Sequence, residues 1–328
     1  MFGHQDDLAY GVGWKNGKGT SDVKTVIGQY PAVYGWEFSG LERDSKYNID
    51  SVPFDSMRQY IKTGYKRGGV ITVSWHLDHP VTGKNAWDTT HGGVTAVLPG
   101  GAEHDRYKSW LDKVAVFSLS LKGSKGELIP VLFRPFHELT GNWFWWTKNT
   151  CTTQEFKDLW KFTFNYLTEV KKVNNFIFVY NTAGDFSTKE EFLERYPGDD
   201  YVDMVSFDAY QFGNPEKDDR FVIKVDQQLT ILDDVSTQLN KIPTFGETGY
   251  EAIPYSKWWT QTLWKALQNH QVSYVLLWRN HGLQNNGHMH YYVPYKGQVS
   301  VQDFMQFSKL EKIFFEKKTK AQNLYKSF

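Results

Sequence analysis

Short apolar runs alternate with longer mixed runs along the whole chain. Val33 to Phe38, Val70 to Trp75, Leu128 to Phe133, Phe176 to Asn181, Val202 to Tyr210, Pro243 to Gly246 and Val272 to Trp278 are short and bounded by turn residues. They read as seven buried strands. Between them, Phe54 to Arg67, His104 to Leu121, Thr153 to Val173, Phe221 to Leu239 and Tyr255 to His270 mix apolar and charged residues at helical spacing. Met1 to His4 supplies a truncated first strand and Val301 to Lys312 a closing helix, while Thr188 to Arg195, stopped by Pro197, is the weakest helical stretch. This alternation predicts an α/β fold of the (β/α)8 type, a TIM barrel formed as a single domain by residues 1–328. An open doubly wound sheet is the rival. It would ordinarily carry a glycine-rich phosphate loop after a strand, and none is apparent.

A parallel barrel puts its chemistry at the carboxyl ends of the strands. Those ends deliver Glu37, His76, Asp78, His79, His137, Glu138, Asn181, Asp208, Tyr210, Glu247, Trp278 and Arg279. Glu138 stands out. It follows the apolar run Val131-Leu132-Phe133, adjoins His137, and precedes the aromatic wall Trp143, Phe144, Trp145 and Trp146. A carboxyl group beside tryptophan is poorly solvated, so its neutral form is favoured, which suits a proton donor. Flat rings next to a proton donor suit the faces of sugars. Arg134, His137 and Glu138 are all costly in a plain apolar core, which argues against an incidental placement. Glu247, after Pro243-Thr244-Phe245-Gly246, ends another short strand. The two glutamates lie 247 − 138 = 109 residues apart, three strand–helix units, on strands four and seven. Paired carboxyl groups across a barrel mouth are what glycoside hydrolysis needs.

Composition narrows the class further. Lys+Arg and Asp+Glu are both 37, so the net charge is zero and no basic face is offered to nucleic acid or to an anionic membrane. Mean hydropathy is −0.54 and no apolar run approaches the length of a membrane span. Aromatic residues make up 17%, with 13 Trp, more than a core requires, so the surplus points to a ligand groove. Cys151 is the lone cysteine, which excludes an intrachain disulfide and says nothing of compartment. The chain opens at Met1-Phe2-Gly3-His4 without a signal peptide, leaving a cytosolic chain or one whose targeting segment has been removed. The pair His288 and His290 hints at metal, but no His or Asp set has convincing metal-ligand spacing, so no metal is expected.

The stretch Arg134-Pro135-Phe136-His137-Glu138, followed by Gly141-Asn142-Trp143-Phe144-Trp145-Trp146, resembles glycoside hydrolase family 26, chiefly endo-β-1,4-mannanases. Further matches run from Phe2-Gly3-His4-Gln5 through Ser74-Trp75-His76, Phe207-Asp208-Ala209-Tyr210 and Trp278-Arg279-Asn280 to Tyr291-Tyr292-Val293-Pro294. The resemblance implies a barrel, retention of anomeric configuration, no cofactor, and Glu138 as acid/base with Glu247 as nucleophile. By position it implies substrate contacts from His76, His137, Trp143, Asp208, Tyr210, Trp278 and Arg279, with Tyr210 orienting the nucleophile. The family pattern sets Phe2-Gly3-His4 at the end of its first strand, so the amino-terminal half of that strand is expected to be missing or removed.

The reading is a retaining hydrolase of internal β-1,4 linkages in mannan, glucomannan or galactomannan. It is expected to be monomeric and secreted or periplasmic, its partners being β-mannan polysaccharides and manno-oligosaccharides. Two rivals stay open: a β-1,3-xylanase or mixed-linkage β-glucanase on the same machinery, and a catalytically silent carbohydrate-binding barrel.

Overall fold

The computed structural model describes residues 1–326. Eight parallel strands close into a barrel: β1 (Phe2–Gln5), β2 (Val33–Glu37), β3 (Val70–Trp75), β4 (Val131–Pro135), β5 (Phe176–Ala183), β6 (Met204–Gln211), β7 (Ile242–Tyr250) and β8 (Val275–Leu277). Each strand pairs with its neighbours in chain order, and helices cross between them. The first strand needs only four residues to close the ring. It pairs with β8 through Phe2↔Val275, Gly3↔Leu276 and His4↔Leu277, and with β2 through Gly3↔Val33, His4↔Tyr34 and Gln5↔Gly35.

Several boundaries differ from the sequence reading. The fourth strand starts at Val131, because Leu128 is bridged instead to Lys122 in a local turn. The seventh continues past Gly246 to Tyr250. The expected long helix after β4 is α-helical over Thr153–Asn165 and then widens into a π turn over Tyr166–Val170. The stretch after β7 is likewise a π turn, Trp259–Leu263, running into one short helix, Trp264–Leu267. The closing helix spans only Val301–Phe307. A helix over Asp22–Ile27 was not anticipated: six residues are too few to display a helical period. Its ends are nonetheless well marked, with the Ser21 hydroxyl accepting from the Lys24 amide and Gly28 taking the left-handed conformation at φ 72°.

Period-two alternation divides each strand between the helical shell and the barrel interior. Outward residues such as Ile71, Val73, Phe133, Val205, Phe207 and Phe245 join the main core against the helices. The inward set is apolar at one end, where Val33, Leu132, Val179, Met204, Tyr274 and Leu276 form a separate cluster. One or two positions further along the same strands, the inward residues turn polar and charged: Thr72 and Ser74, Arg134, Asn181, Ser206 and Asp208, and Glu37. The apolar plug supports the barrel, and the polar layer above it becomes a site.

Gly3 sits at the closing seam between its two neighbouring strands, where space is short. A Cβ there would lie 2.8 Å from Leu276 Cδ1 and 3.0 Å from Val33 Cβ. Gly3→Ala is expected to destabilise by about 1–3 kcal/mol through overpacking. Urea unfolding checks this, and a variant as stable as the parent would show that the closing seam yields freely.

Candidate active site

Glu247 owes its direction to an irregularity of β7. Along β6 the register runs Phe207↔Phe245 and then Asp208↔Glu247, while along β8 it runs Val275↔Phe245 and then Leu277↔Thr248. One extra residue has been inserted near Gly246, a β-bulge that re-aims the side chain following it. Gly246 is required by crowding. A Cβ there would sit 2.1 Å from Asn181 Oδ1 and 2.6 Å from both Asp208 Oδ1 and Ser206 Oγ. Glu247 therefore projects from inside a strand rather than from the loop after it.

Glu138 is held differently. β4 stops at Pro135, and in the turn that follows both Phe136 and Glu138 take left-handed backbone, at φ 53° and 54°. For residues with a side chain such conformations cost about 1–3 kcal/mol each and persist only when their surroundings impose them. Here Phe136 is buried among Trp146, Phe156 and Trp160. Trp143 Nε1 donates to Glu138 Oε2 at 2.6 Å. Of the expected aromatic wall only Trp143 reaches the surface, at 37% exposure. Phe144, Trp145 and Trp146 are buried, and the two indoles donate to the carbonyls of Leu77 and His137, so these three rings build the turn instead of facing a ligand.

Beside Glu247 lies the buried guanidinium of Arg134. Its Nη2 donates to Glu247 Oε1 at 2.7 Å, and its Nη1 is 3.6 Å from Asp208 Oδ2. Tyr210 Oη donates to the other Glu247 oxygen at 2.9 Å, and Asn181 Nδ2 donates to Asp208 Oδ2 at 2.7 Å. One carboxylate oxygen from each of Glu138, Asp208 and Glu247 lies within 4.8 Å of the others. Burial, and next the charge of Glu247, push Glu138 up to about 7, against the lowering effect of the Trp143 hydrogen bond. The same two causes drive Asp208 well above the usual carboxylate range. Burial and the Glu247 charge also raise the Tyr210 phenol, leaving it a neutral donor.

His76 and His137 meet edge to face, with Nε2 atoms 3.1 Å apart and ring centroids 4.4 Å apart. Trp278 and Arg279 stand apart from this group at the end of β8. Arg279 Nη1 pairs with Asp50 Oδ1 at 2.6 Å, and neither residue bonds to either glutamate. His288 and His290 both bond Glu251 Oε1, at 2.9 and 2.7 Å, in the hairpin Gly282–Leu283 with Met289–His290. A groove of about 680 Å³ runs from Glu138 and Trp143 past Asp185, Asp208 and Tyr210 to Phe212, which is 84% exposed. Sequence reasoning assigned no role to Arg134 or to Trp87. Arg134 had a signal, an inward cation two residues after inward Leu132. Trp87 had none. It sits in an irregular segment after β3, 47% exposed, and stacks on His76 with centroids 5.0 Å apart.

The raised value at Glu138 has a consequence for stability. The folded state holds this proton more tightly than the unfolded chain, where the group titrates near 4.5. The stabilisation is complete below about pH 4.5 and is lost as pH rises through about 7. Glu138→Gln, neutral at all pH, should therefore gain on the parent as pH rises, by on the order of 3 kcal/mol at pH 8. Unfolding free energies from pH 4 to 8 check this. Parallel curves for the two proteins would mean that Glu138 titrates like an exposed glutamate.

Residues 1–288 match the family model for glycosyl hydrolase family 26. Among solved structures, a family 26 β-mannanase from Bacteroides ovatus is 44% identical, with a TM-score of 0.92, covering 97% of this chain and 90% of that one. The catalytic domain of an endo-β-1,4-mannanase from Bacillus sp. JAMB-750 is 31% identical, with a TM-score of 0.89, covering 99% and 89%. A mannan endo-1,4-β-mannosidase from Bifidobacterium adolescentis is 30% identical over 88% of this chain and 30% of its own length. The Bacillus subtilis enzyme of the same name is 29% identical over 64% and 57%. This chain thus spans between about a third and somewhat over half of these two relatives. With its arrangement of eight strands, and glutamates in the turn after the fourth and on the seventh, the chain belongs to glycosyl hydrolase family 26.

Proposed function

We propose that the chain is a retaining endo-β-1,4-mannanase acting on mannan, glucomannan or galactomannan, with residues 1–328 as one catalytic unit. The observation that carries this reading is a carboxyl of raised pKa close to a carboxylate held by two hydrogen-bond donors. Glu138 is raised to about 7, so a large fraction of molecules still carries its proton near neutral pH, while both oxygens of Glu247 accept hydrogen bonds from Arg134 and Tyr210. Oxygens within 4.8 Å favour the close pair of a double displacement, about 5–5.5 Å between carboxyls, over the wider gap that admits a water. The mannanase names of the relatives support the sugar, and the open groove from Trp143 to Phe212 supports binding within a polymer.

In the first step Glu247 attacks the anomeric carbon, and the Glu138 proton passes to the departing glycosidic oxygen. This gives a glycosyl ester on Glu247 and a Glu138 carboxylate. Esterification removes the Glu247 charge that had raised Glu138, so its pKa falls and it becomes suited to act as a base. Water then loses a proton to Glu138 and attacks the same carbon, restoring both carboxyls with net retention. Trp143 orients the acid through its indole N–H and offers its ring to a sugar face. His137, His76, Asp208, Trp278 and Arg279 are proposed to line the cleft. Among the described residues no helix is long and apolar enough to cross a membrane. A polymer substrate supports an enzyme working outside the cytoplasm, secreted or periplasmic; the proposed enzyme is monomeric, without nucleic acid or membrane as partner.

The roles of the two glutamates separate with variants. Glu138→Ala should lose mannan hydrolysis by about two to four orders of magnitude, the range of a general acid. Its glycosylation by an aryl mannoside with a good leaving group should survive much better. Azide should then accelerate turnover and yield the β-mannosyl azide. Glu247→Ala should give no retained-configuration rescue, and any azide product should be the α-anomer. Exchanged behaviour would reverse the assignments. Release of reducing sugar from β-1,3-xylan or lichenan but not from mannan would replace the substrate, and affinity for mannan without turnover would leave a binding protein.

A further inference from the structure

Glu37 ends β2 inside the barrel, wholly buried, and has no contact with either glutamate among its hydrogen bonds. Its carboxylate is nevertheless elaborately held. Oε1 accepts from the Ser39 amide at 2.7 Å and the His76 amide at 2.8 Å. Oε2 accepts from Ser74 Oγ at 2.8 Å and lies 2.7 Å from His76 Nδ1. Four donors on one buried carboxylate favour its anionic form. A buried anion needs a cation, and the imidazole of His76 is the one in reach. The far nitrogen of His76, Nε2, lies 3.1 Å from Nε2 of His137, which adjoins Glu138.

Two facing nitrogens at that distance share one proton. If His76 is an imidazolium, its Nε2 donates, His137 Nε2 accepts, and the His137 proton resides on Nδ1. If His76 is neutral, its Nδ1–H serves Glu37 and the proton between the rings belongs to His137. Three features favour the first state. Glu37 supplies the counter-charge; Trp87 stacks flat on the His76 ring, an arrangement that stabilises a cation; and His137 is apolar-walled by Phe144 and Trp146, with Arg134 nearby opposing a second charge.

We propose that Glu37 is a positioning residue of the reaction described above: it holds His76 as an imidazolium, which fixes the tautomer of His137 and sets one positive charge beside the acid/base carboxyl of Glu138. The proposal rests on the functional reading for its consequence, while its first half concerns the unliganded protein alone. The groups facing His76 agree in direction. Burial by itself would lower it, but Glu37, then Glu247 and Asp50, outweigh burial and raise it. His137 is driven well below its ordinary value by burial, then by His76 and Arg134. Around Glu138, Glu247 raises the pKa whereas Trp143, His76 and Arg134 lower it. Removing the His76 charge should therefore push Glu138 further up.

Glu37→Gln keeps the shape and discards the charge. Nitrogen-15 spectra of histidine side chains in the free protein should place two protons on His76 and one, on Nδ1, on His137 at pH 7 in the parent. In the variant His76 should be neutral and the His137 proton should move to Nε2. With mannan as substrate, the alkaline limb of kcat/KM should move up by about one pH unit as Glu138 holds its proton longer, and the maximum should fall roughly tenfold. A merely structural role would lower activity without moving the limb upward. A neutral His76 in the parent at pH 7 would overturn the proposal even if the variant failed to fold, and so would unchanged spectra in a folded variant. A parent inactive on mannan but with the expected spectra would reject the mannanase reading while leaving the Glu37–His76–His137 arrangement standing.

Discussion

A guanidinium buried at the centre of the barrel sets the terms for everything around it. Arg134 has no exposed surface, and taking an ion from water costs several kcal/mol even after relaxation. That cost is offset only if counter-charges arrive in good geometry. Burial would lower the Arg134 pKa, but Glu247 and then Asp208 outweigh it, so the guanidinium stays charged. The bond to Glu247 is the shorter, at 2.7 Å against 3.6 Å for Asp208. The asymmetry matches the tendency of Asp208, raised by burial and by Glu247, to remain protonated. Arg134 thus holds one carboxylate in place and leaves its second oxygen to Tyr210.

From this fixed pair the charge of the site alternates outward. The charge of Glu247, after burial, is one reason that the Glu138 pKa is raised. Beyond Glu138 come neutral His137, cationic His76 and anionic Glu37. No two like charges are neighbours in this sequence, although every member is buried or half-buried. In a low-dielectric interior an uncompensated charge would be expelled or neutralised, so the protonation states are coupled. The same coupling lets one covalent event change a distant role. In the proposed reaction, esterification of Glu247 lowers the field on Glu138, and the group that would have donated a proton is suited to take one.

The strand–helix order, the barrel and the two glutamates were legible in the sequence because each has a repetitive or concentrated signal. Strands of three to nine residues set in apolar runs, and helices of thirteen or more with charged faces, carry their period on the surface of the sequence. What was illegible lacks a period. The helix over Asp22–Ile27 is a turn and a half and is specified by its caps. The π turns at Tyr166–Val170 and Trp259–Leu263 keep the same apolar spacing as an α-helix, so the pattern does not reveal them. The aromatic wall was misjudged for a similar reason. Composition says that Trp145 and Trp146 are aromatic, but only the fold says that their indoles are consumed by the carbonyls of Leu77 and His137. The Trp87–His76 stack and the Glu37–His76 contact join different segments, the second across 39 residues, through side chains with no local pattern to announce them.

The two glutamates also reach the mouth by different departures from regular backbone. Glu247 is turned by a bulge that depends on the missing side chain of Gly246, and Glu138 by two left-handed residues that only dense aromatic packing can impose. A regular β7 would direct successive side chains alternately to the inside and the shell, with no freedom to tune their approach. A regular loop after β4 would leave Glu138 mobile, and the proton donation proposed for it depends on geometry within hydrogen-bond reach. The strain at Phe136 and Glu138 is tolerable because the barrel below is closed and its apolar plug is complete. Stability is gathered at the end of the barrel where Val33, Leu132, Met204 and Leu276 pack, and spent as irregular backbone at the end where Glu138 and Glu247 face each other.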